Sequence, residues 1–286
     1  MKLALGTVQF GVRYGIANES GQPTEADVAA VVSRAWSGGL RMLDTAIAYG
    51  DSEQRLGRAD VRQWAVVTKL PALPGAGAAV DAWMQTSVEG SLERLGVSRL
   101  HGLLLHRPDQ LLAEPRLYRA LQAVKQQGLV RKVGVSIYDP GELDRLIPRF
   151  ALDVVQAPFN LVDARLLESG WLQRLAAEGV ELHVRSVFLQ GLLLMPPSRR
   201  PPQFGRWASL LESYDAWLEV SGTTRVEACL RYALGFPEIA RVIVGVDSVG
   251  QLEQLIAAAS GAAPAVPAAL HCRDLDLLNP ARWAAL

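Results

Sequence analysis

The chain has little that would mark it for the cell surface, a membrane or a polyanion. It has two cysteines, Cys229 and Cys272, far apart in sequence. One distant bridge is open to them, but a reducing compartment with free thiols is the expectation. Neither charge sign is in excess, with 29 Lys plus Arg against 29 Asp plus Glu. A balanced chain gives no electrostatic reason to expect nucleic acid, an anionic membrane surface or a polyanionic substrate. The opening Met-Lys-Leu-Ala-Leu-Gly-Thr-Val-Gln-Phe has too short an apolar run for a signal peptide. No apolar stretch reaches the length of a bilayer span, so a cytoplasmic location is expected. Four scattered histidines and two cysteines without partners at ligand spacing leave no visible metal site.

What the chain does have is alternation. It is 286 residues long and half hydrophobic, an ordinary size for one barrel domain over 1–286. Short apolar runs near 2–5, 40–44, 65–69, 101–105, 132–136, 153–157, 181–186 and 241–244 read as strands. Amphipathic patterns at about 24–37, 52–58, 81–95, 114–127, 140–147, 163–178, 224–234 and 248–259 fill the gaps. Parallel neighbours need crossovers, so eight strand–helix pairs predict an α/β fold, a (β/α)8 parallel barrel. The alternative is an open doubly wound sheet, which usually needs fewer strands. No Gly-x-Gly-x-x-Gly follows the first strand here. Thr24 and Ser52 read as helix N-caps, and Gly38-Gly39, Gly96, Gly128 and Gly179 as helix ends.

Regular repetition breaks after the seventh strand. Residues 187–223 contain Pro196-Pro197 and Pro201-Pro202, then a helical spacing of Trp207, Leu210, Leu211 and Trp217. An excursion there is expected to cover the barrel mouth. The Ala- and Pro-rich tail, 262–286, is expected to pack on the barrel near its rim.

Chemistry gathers at three successive strand ends. Asp44 closes strand two, and Tyr49 lies in the turn after it. Lys69 closes strand three and His106 follows strand four. Consecutive barrel strands are neighbours, so these side chains converge at the C-terminal mouth. A nearby ammonium favours the phenolate of a tyrosine. A carboxylate such as Asp44 holds Lys69 charged in a dry pocket, and His106 offers a further donor to a substrate oxygen. Such a set suits proton delivery to a carbonyl oxygen. Taken singly, each residue has a bland explanation as a turn, a cap or a solvated strand end.

In its order of blocks the sequence resembles the aldo-keto reductase family over nearly its whole length. The blocks are Leu-Gly-Thr (5–7), Leu-Asp-Thr-Ala (43–46), Tyr-Gly-Asp-Ser-Glu (49–53), Thr-Lys (68–69) and Leu-Leu-His-Arg-Pro-Asp (104–109). The resemblance implies that Asp44, Tyr49, Lys69 and His106 form the catalytic tetrad. Tyr49 is then the proton donor, supported by Lys69 and Asp44, and His106 orients the carbonyl. A nicotinamide nucleotide supplies the hydride.

The same resemblance extends to a cofactor site, with departures. Besides Gly6, Thr7 and Asp44, it points to Ser136 and Gln156 for the carboxamide, although the usual asparagine after Ser136 is Ile137. It points to Ser186, Phe188, Gln190 and Gly191 for the pyrophosphate, with Val187 where proline is usual. For the adenosine end it points to Gly245, Ser248, Gln251 and Gln254. Phosphate sites in barrels often form after strands seven and eight, at a helix N-terminus. Many members carry an arginine for the ribose phosphate where this chain has Gln251. Glutamine cannot replace that charge, and Arg185 or Arg241 is a candidate substitute. NADP(H) is nevertheless expected in preference to NAD(H). Val8, Phe10, Tyr14, Tyr138 and Phe159 are candidates for the substrate pocket.

The resulting expectation is NADP(H)-dependent reduction of a small aldehyde or ketone. Two readings stay open beside it: a nucleotide-binding regulatory barrel with little turnover, and an isomerase or lyase with a retained nicotinamide cofactor.

Overall fold

In the computed structural model, which describes residues 1–18, 21–75 and 79–286, the eight apolar runs are strands. They are β1 Leu3–Gly6, β2 Met42–Asp44, β3 Ala65–Leu70, β4 Leu100–Leu105, β5 Val130–Ser136, β6 Val154–Pro158, β7 Glu181–Arg185 and β8 Ile239–Gly245. All neighbours run parallel, and β8 returns to β1 with Leu3 opposite Val242, closing the barrel. This is the (β/α)8 architecture.

Strand parity places the site. Successive side chains point to opposite faces. Leu3, Leu5, Val66, Leu103 and Leu105 face outward into the large core beneath the helices. Ala4, Met42, Val67, Leu104, Val154 and Ile243 face inward and form a small separate apolar plug. Two positions further along the same faces come Gly6, Asp44, Lys69, His106, Gln156 and Gly245. The layer above the plug is therefore the polar one, at the C-terminal mouth.

Helix boundaries follow local chemistry. Thr24 caps Glu25–Ser37 in a capping box with Asp27. Gly96, Gly128 and Gly179 all adopt positive φ at helix ends. Ser52 corrects the expected cap: it is the first residue of Ser52–Arg58, after Asp51. Its buried hydroxyl bonds the Thr7 carbonyl at 2.9 Å and the Thr7 hydroxyl at 3.0 Å. The pattern at 163–178 gives two short helices, Arg165–Glu168 and Trp171–Ala177, split at Gly170. Short helices Val8–Gly11 and Asp109–Ala113 are too brief to leave a periodic signal.

The segment after β7 forms turns of 3-10 helix and then the helix Ala208–Ser221. Its outer part grips the tail. Trp207 Nε1 donates to Asp274 at 3.1 Å, and the Phe204 and Trp283 rings meet edge to face at 4.8 Å. Cys229 and Cys272 are free thiols. Among the described residues no helix is long and apolar enough to cross a membrane.

Candidate active site

Asp44, Lys69, Tyr49 and His106 come together at the mouth. The Lys69 ammonium is fully buried and donates to Asp44 Oδ2 at 2.7 Å and to the Thr45 carbonyl at 2.8 Å. Asp44 Oδ1 accepts from Gln156 Nε2 at 2.7 Å, so both carboxylate oxygens are engaged. Burial alone would lower the Lys69 pKa. Asp44 and Tyr49 outweigh it and hold the ammonium above the ordinary lysine value. Lys69 Nζ lies 5.0 Å from the centre of the Tyr49 ring. The Tyr49 and His106 rings stand 6.0 Å apart at 76°. Burial, with the charges of Lys69 and Arg185, pushes the His106 imidazole down to about 4. His106 is therefore neutral at neutral pH, and its ring can donate from one nitrogen without carrying charge.

Glycine places Tyr49. A Cβ on Gly11 would lie 1.6 Å from the Tyr49 carbonyl oxygen, and one on Gly50 would lie 2.3 Å from the Gly11 carbonyl oxygen. Two backbones meet where no side chain fits, which pins the Tyr49 turn to the loop after β1.

A cavity of about 490 Å³ opens over this group. Its wall includes Tyr49 and His106 at one end and Asp247 and Gln251 at the other. Of the expected cofactor residues, Gly6, Thr7, Asp44, Ser186, Phe188, Gln190, Gly191, Gly245 and Gln251 line it. Four do not. Ser136 and Gln156 are fully buried, and Gln156 donates to Asp44. Ser248 caps the helix Val249–Ala258 by accepting from Gln251 N, and Gln254 is exposed on that helix. Of the aromatic and apolar candidates, Val8, Tyr14 and Tyr138 line the cavity. Phe10 and Phe159 are core residues, Phe159 stacking on Tyr232 at 5.2 Å. Arg241 lies two positions below Ile243 of the apolar plug, on the side away from the mouth. It cannot reach a dinucleotide there.

Sequence reading missed several wall residues, namely Gln9, Ala17, Asn18, Pro280 and Ala281. The loop after β1 crosses the mouth. Ile16 N donates to the Gln190 carbonyl at 3.1 Å, and Asn18 Nδ2 donates to Asp247 Oδ1 at 3.1 Å. No local pattern announces such a crossing. The wall residues after β7 sit in a strained block that is not glycine-rich. Ser186, Leu189 and Gln190 all have positive φ, between 46° and 60°. Non-glycine residues rarely hold that conformation, and strain of this kind collects at binding loops.

The wall fits an elongated nucleotide. Among the described residues Gln9 Oε1 is buried without a partner, and Gln9 packs where a Cβ on Gly245 would fall within 2.2 Å of its side chain. A buried acceptor awaiting a donor, beside a bare backbone at a strand end, is the setting in which a ligand's polar groups are held.

The chain is similar to known proteins over most of its length. L-galactose dehydrogenase of Arabidopsis thaliana is 28% identical over 280 residues, covering 90% of this chain and 85% of that protein. D-threo-aldose 1-dehydrogenase of a Pseudomonas species is 26% identical, covering 88% and 89%. The solved structure of aldo-keto reductase AKR11C1 from Bacillus halodurans, holo form, superposes with a TM-score of 0.75. It has 22% identity and covers 92% of this chain and 88% of that one, a likeness of fold. The family model described as Aldo/keto reductase family matches residues 2–263. With that match spanning the whole barrel, the chain belongs to the aldo/keto reductase family, nicotinamide-dependent oxidoreductases acting on small carbonyl compounds.

Proposed function

We propose that this enzyme reduces the carbonyl of a small aldehyde or ketone to an alcohol, and runs in reverse, with Tyr49 delivering the proton. One observation carries the reading. A buried ammonium, tied by Asp44, lies 5.0 Å from the Tyr49 ring on the wall of a cavity that continues to the β8 loop. As the phenolic proton leaves, the Lys69 charge stabilises the oxygen it leaves behind, and the dry surroundings strengthen that attraction. Asp44 keeps Lys69 charged and fixed. Neutral His106 donates to the carbonyl oxygen and orients it toward Tyr49. Bound nicotinamide dinucleotide supplies the hydride. Gly6, Ser186, Gln190, Gly191 and Gly245 are the wall residues that would hold it.

The wall itself favours NAD(H), a second reading beside the NADP(H) that the resemblance implies. Half-buried Asp247 stands beside Gln251, whose Oε1 accepts from Asp247 N at 2.8 Å. A carboxylate suits a ribose hydroxyl and repels a ribose phosphate. The Arg185 guanidinium is turned away toward β5, where it bonds Ile137 O. Two relatives are named for L-galactose and an aldose, which supports a small, polar substrate.

The test is oxidation of NADH and NADPH with a panel of aldehydes, wild type against Tyr49→Phe. The variant should lose about a hundred- to ten-thousandfold in kcat while its nucleotide affinity holds. Nucleotide binding with no turnover on any substrate would favour the regulatory barrel. Product formed without net cofactor consumption would favour the isomerase.

A further inference from the structure

We propose that Arg185 binds an anionic group, a carboxylate, carried by the substrate beside its carbonyl. The proposal rests on the carbonyl-reductase reading and narrows it. Parity along β7 sends Leu182 and Val184 outward, so Arg185 faces into the barrel, at the level of the catalytic layer. It lines the same cavity as Tyr49, His106 and Tyr138.

Its charge has no counterion among the described residues. Most other partly buried arginines pair closely with acids, among them Arg165 with Asp163 and Asp139, Arg200 with Asp215 and Arg94 with Glu53, whereas Arg241, away from the mouth, bonds only Ala240 O among the described residues. Among the described residues no carboxylate pairs with Arg185. Its own bonds go to Ile137 O at 3.0 Å and Ser186 Oγ at 3.3 Å, and its guanidinium lies 4.7 Å from the centre of the Tyr138 ring. A guanidinium has five N–H donors in a planar fork, so most of this one stays available. The other carboxylate on the wall among the described residues, Asp247, follows β8 and is bonded by Asn18. Lys69 is neutralised by Asp44, and His106 is neutral. One uncompensated cation therefore faces the place where a carbonyl must sit. A carboxylate meeting that fork in a half-buried site forms a charge-assisted pair.

A dinucleotide phosphate is the other possible source of the anion. Position argues against it. One arm of the guanidinium bonds Ser186 Oγ on the nucleotide side, but the other reaches back over β6 to Ile137 O and the group lies over the Tyr138 ring, away from the Gly245 and Gln251 end of the wall. Arg185 also acts electrostatically on His106 and Lys69, which places its charge over the catalytic group.

Two measurements test the proposal. The first compares kcat/KM for matched aldehydes with and without a carboxylate, succinic semialdehyde against butanal and 4-carboxybenzaldehyde against 4-methylbenzaldehyde. Wild type should prefer the carboxylate member by about ten- to a hundredfold, the scale of one charge-assisted hydrogen bond. Arg185→Gln should bring the ratio toward one, and Arg185→Lys should recover part of it. The second is calorimetric titration of the NADH-loaded protein with unreactive benzoate and benzamide, alongside NADH affinity itself. Benzoate binding that depends on Arg185 supports the proposal even if no carbonyl is turned over, in which case the reductase reading alone falls. Turnover with equal kcat/KM within each pair overturns it and leaves the reductase reading standing. Equal weak binding of benzoate and benzamide overturns it too, as does loss of NADH affinity in Arg185→Gln with the substrate ratio unchanged.

Discussion

His106 should make the protein acid-sensitive well above the carboxylate range. Its imidazole, near 6.5 when unfolded, is pushed down to about 4 in the fold, because partial burial and the charges of Lys69, Arg185 and Arg107 outweigh Asp44. A group with a depressed folded pKa contributes stability above its unfolded value and loses that stability as pH falls toward the folded one. Here the window runs from 6.5 down to about 4. Each pH unit in it costs up to about 1.4 kcal/mol. From pH 7 to pH 5 the loss is therefore about 2 kcal/mol at most, since the ring is partly exposed. That is a sizeable share of a stability of about 5–15 kcal/mol. The assay is urea unfolding of wild type and His106→Gln at both pH values. The wild type should lose more than the variant, by up to about 2 kcal/mol. NMR titration should show the His106 ring neutral through pH 5. Equal losses in both proteins, or a ring that titrates at its ordinary value, would refute the electrostatic picture of the site.

Two further outcomes follow. Lys69→Met removes the ammonium that holds Asp44 and leaves a buried carboxylate with Gln156 as its remaining side-chain partner. It should cost about 3–5 kcal/mol in denaturant unfolding and lose activity even where the protein is fully folded. Asp247→Asn with Gln251→Arg removes the carboxylate beside the adenosine end and adds a fork for phosphate. The ratio of NADPH to NADH affinity by fluorescence titration should rise about tenfold or more, and an unchanged ratio would place the ribose elsewhere.

The sequence by itself determined the barrel and the strand ends at which Asp44, Tyr49, Lys69 and His106 meet. Strand ends are written locally, because an apolar run must stop where a polar side chain has to face the mouth, as at Met42-Leu43-Asp44 and Val67-Thr68-Lys69. Two-residue parity then carries that information from the plug to the catalytic layer. Tertiary structure decided what no spacing encodes. Ser52 looks like a cap, yet its hydroxyl is used inside, on Thr7. Gln156 sits at the expected strand end, yet its amide bonds Asp44. Asp247, Asn18 and Pro280 reach the wall through loops that come from opposite ends of the chain. Arg185 occupies a visible position, but its lack of a counterion is a fact about every neighbour at once. Local pattern fixes where a side chain points, and only the assembled fold fixes what it meets there.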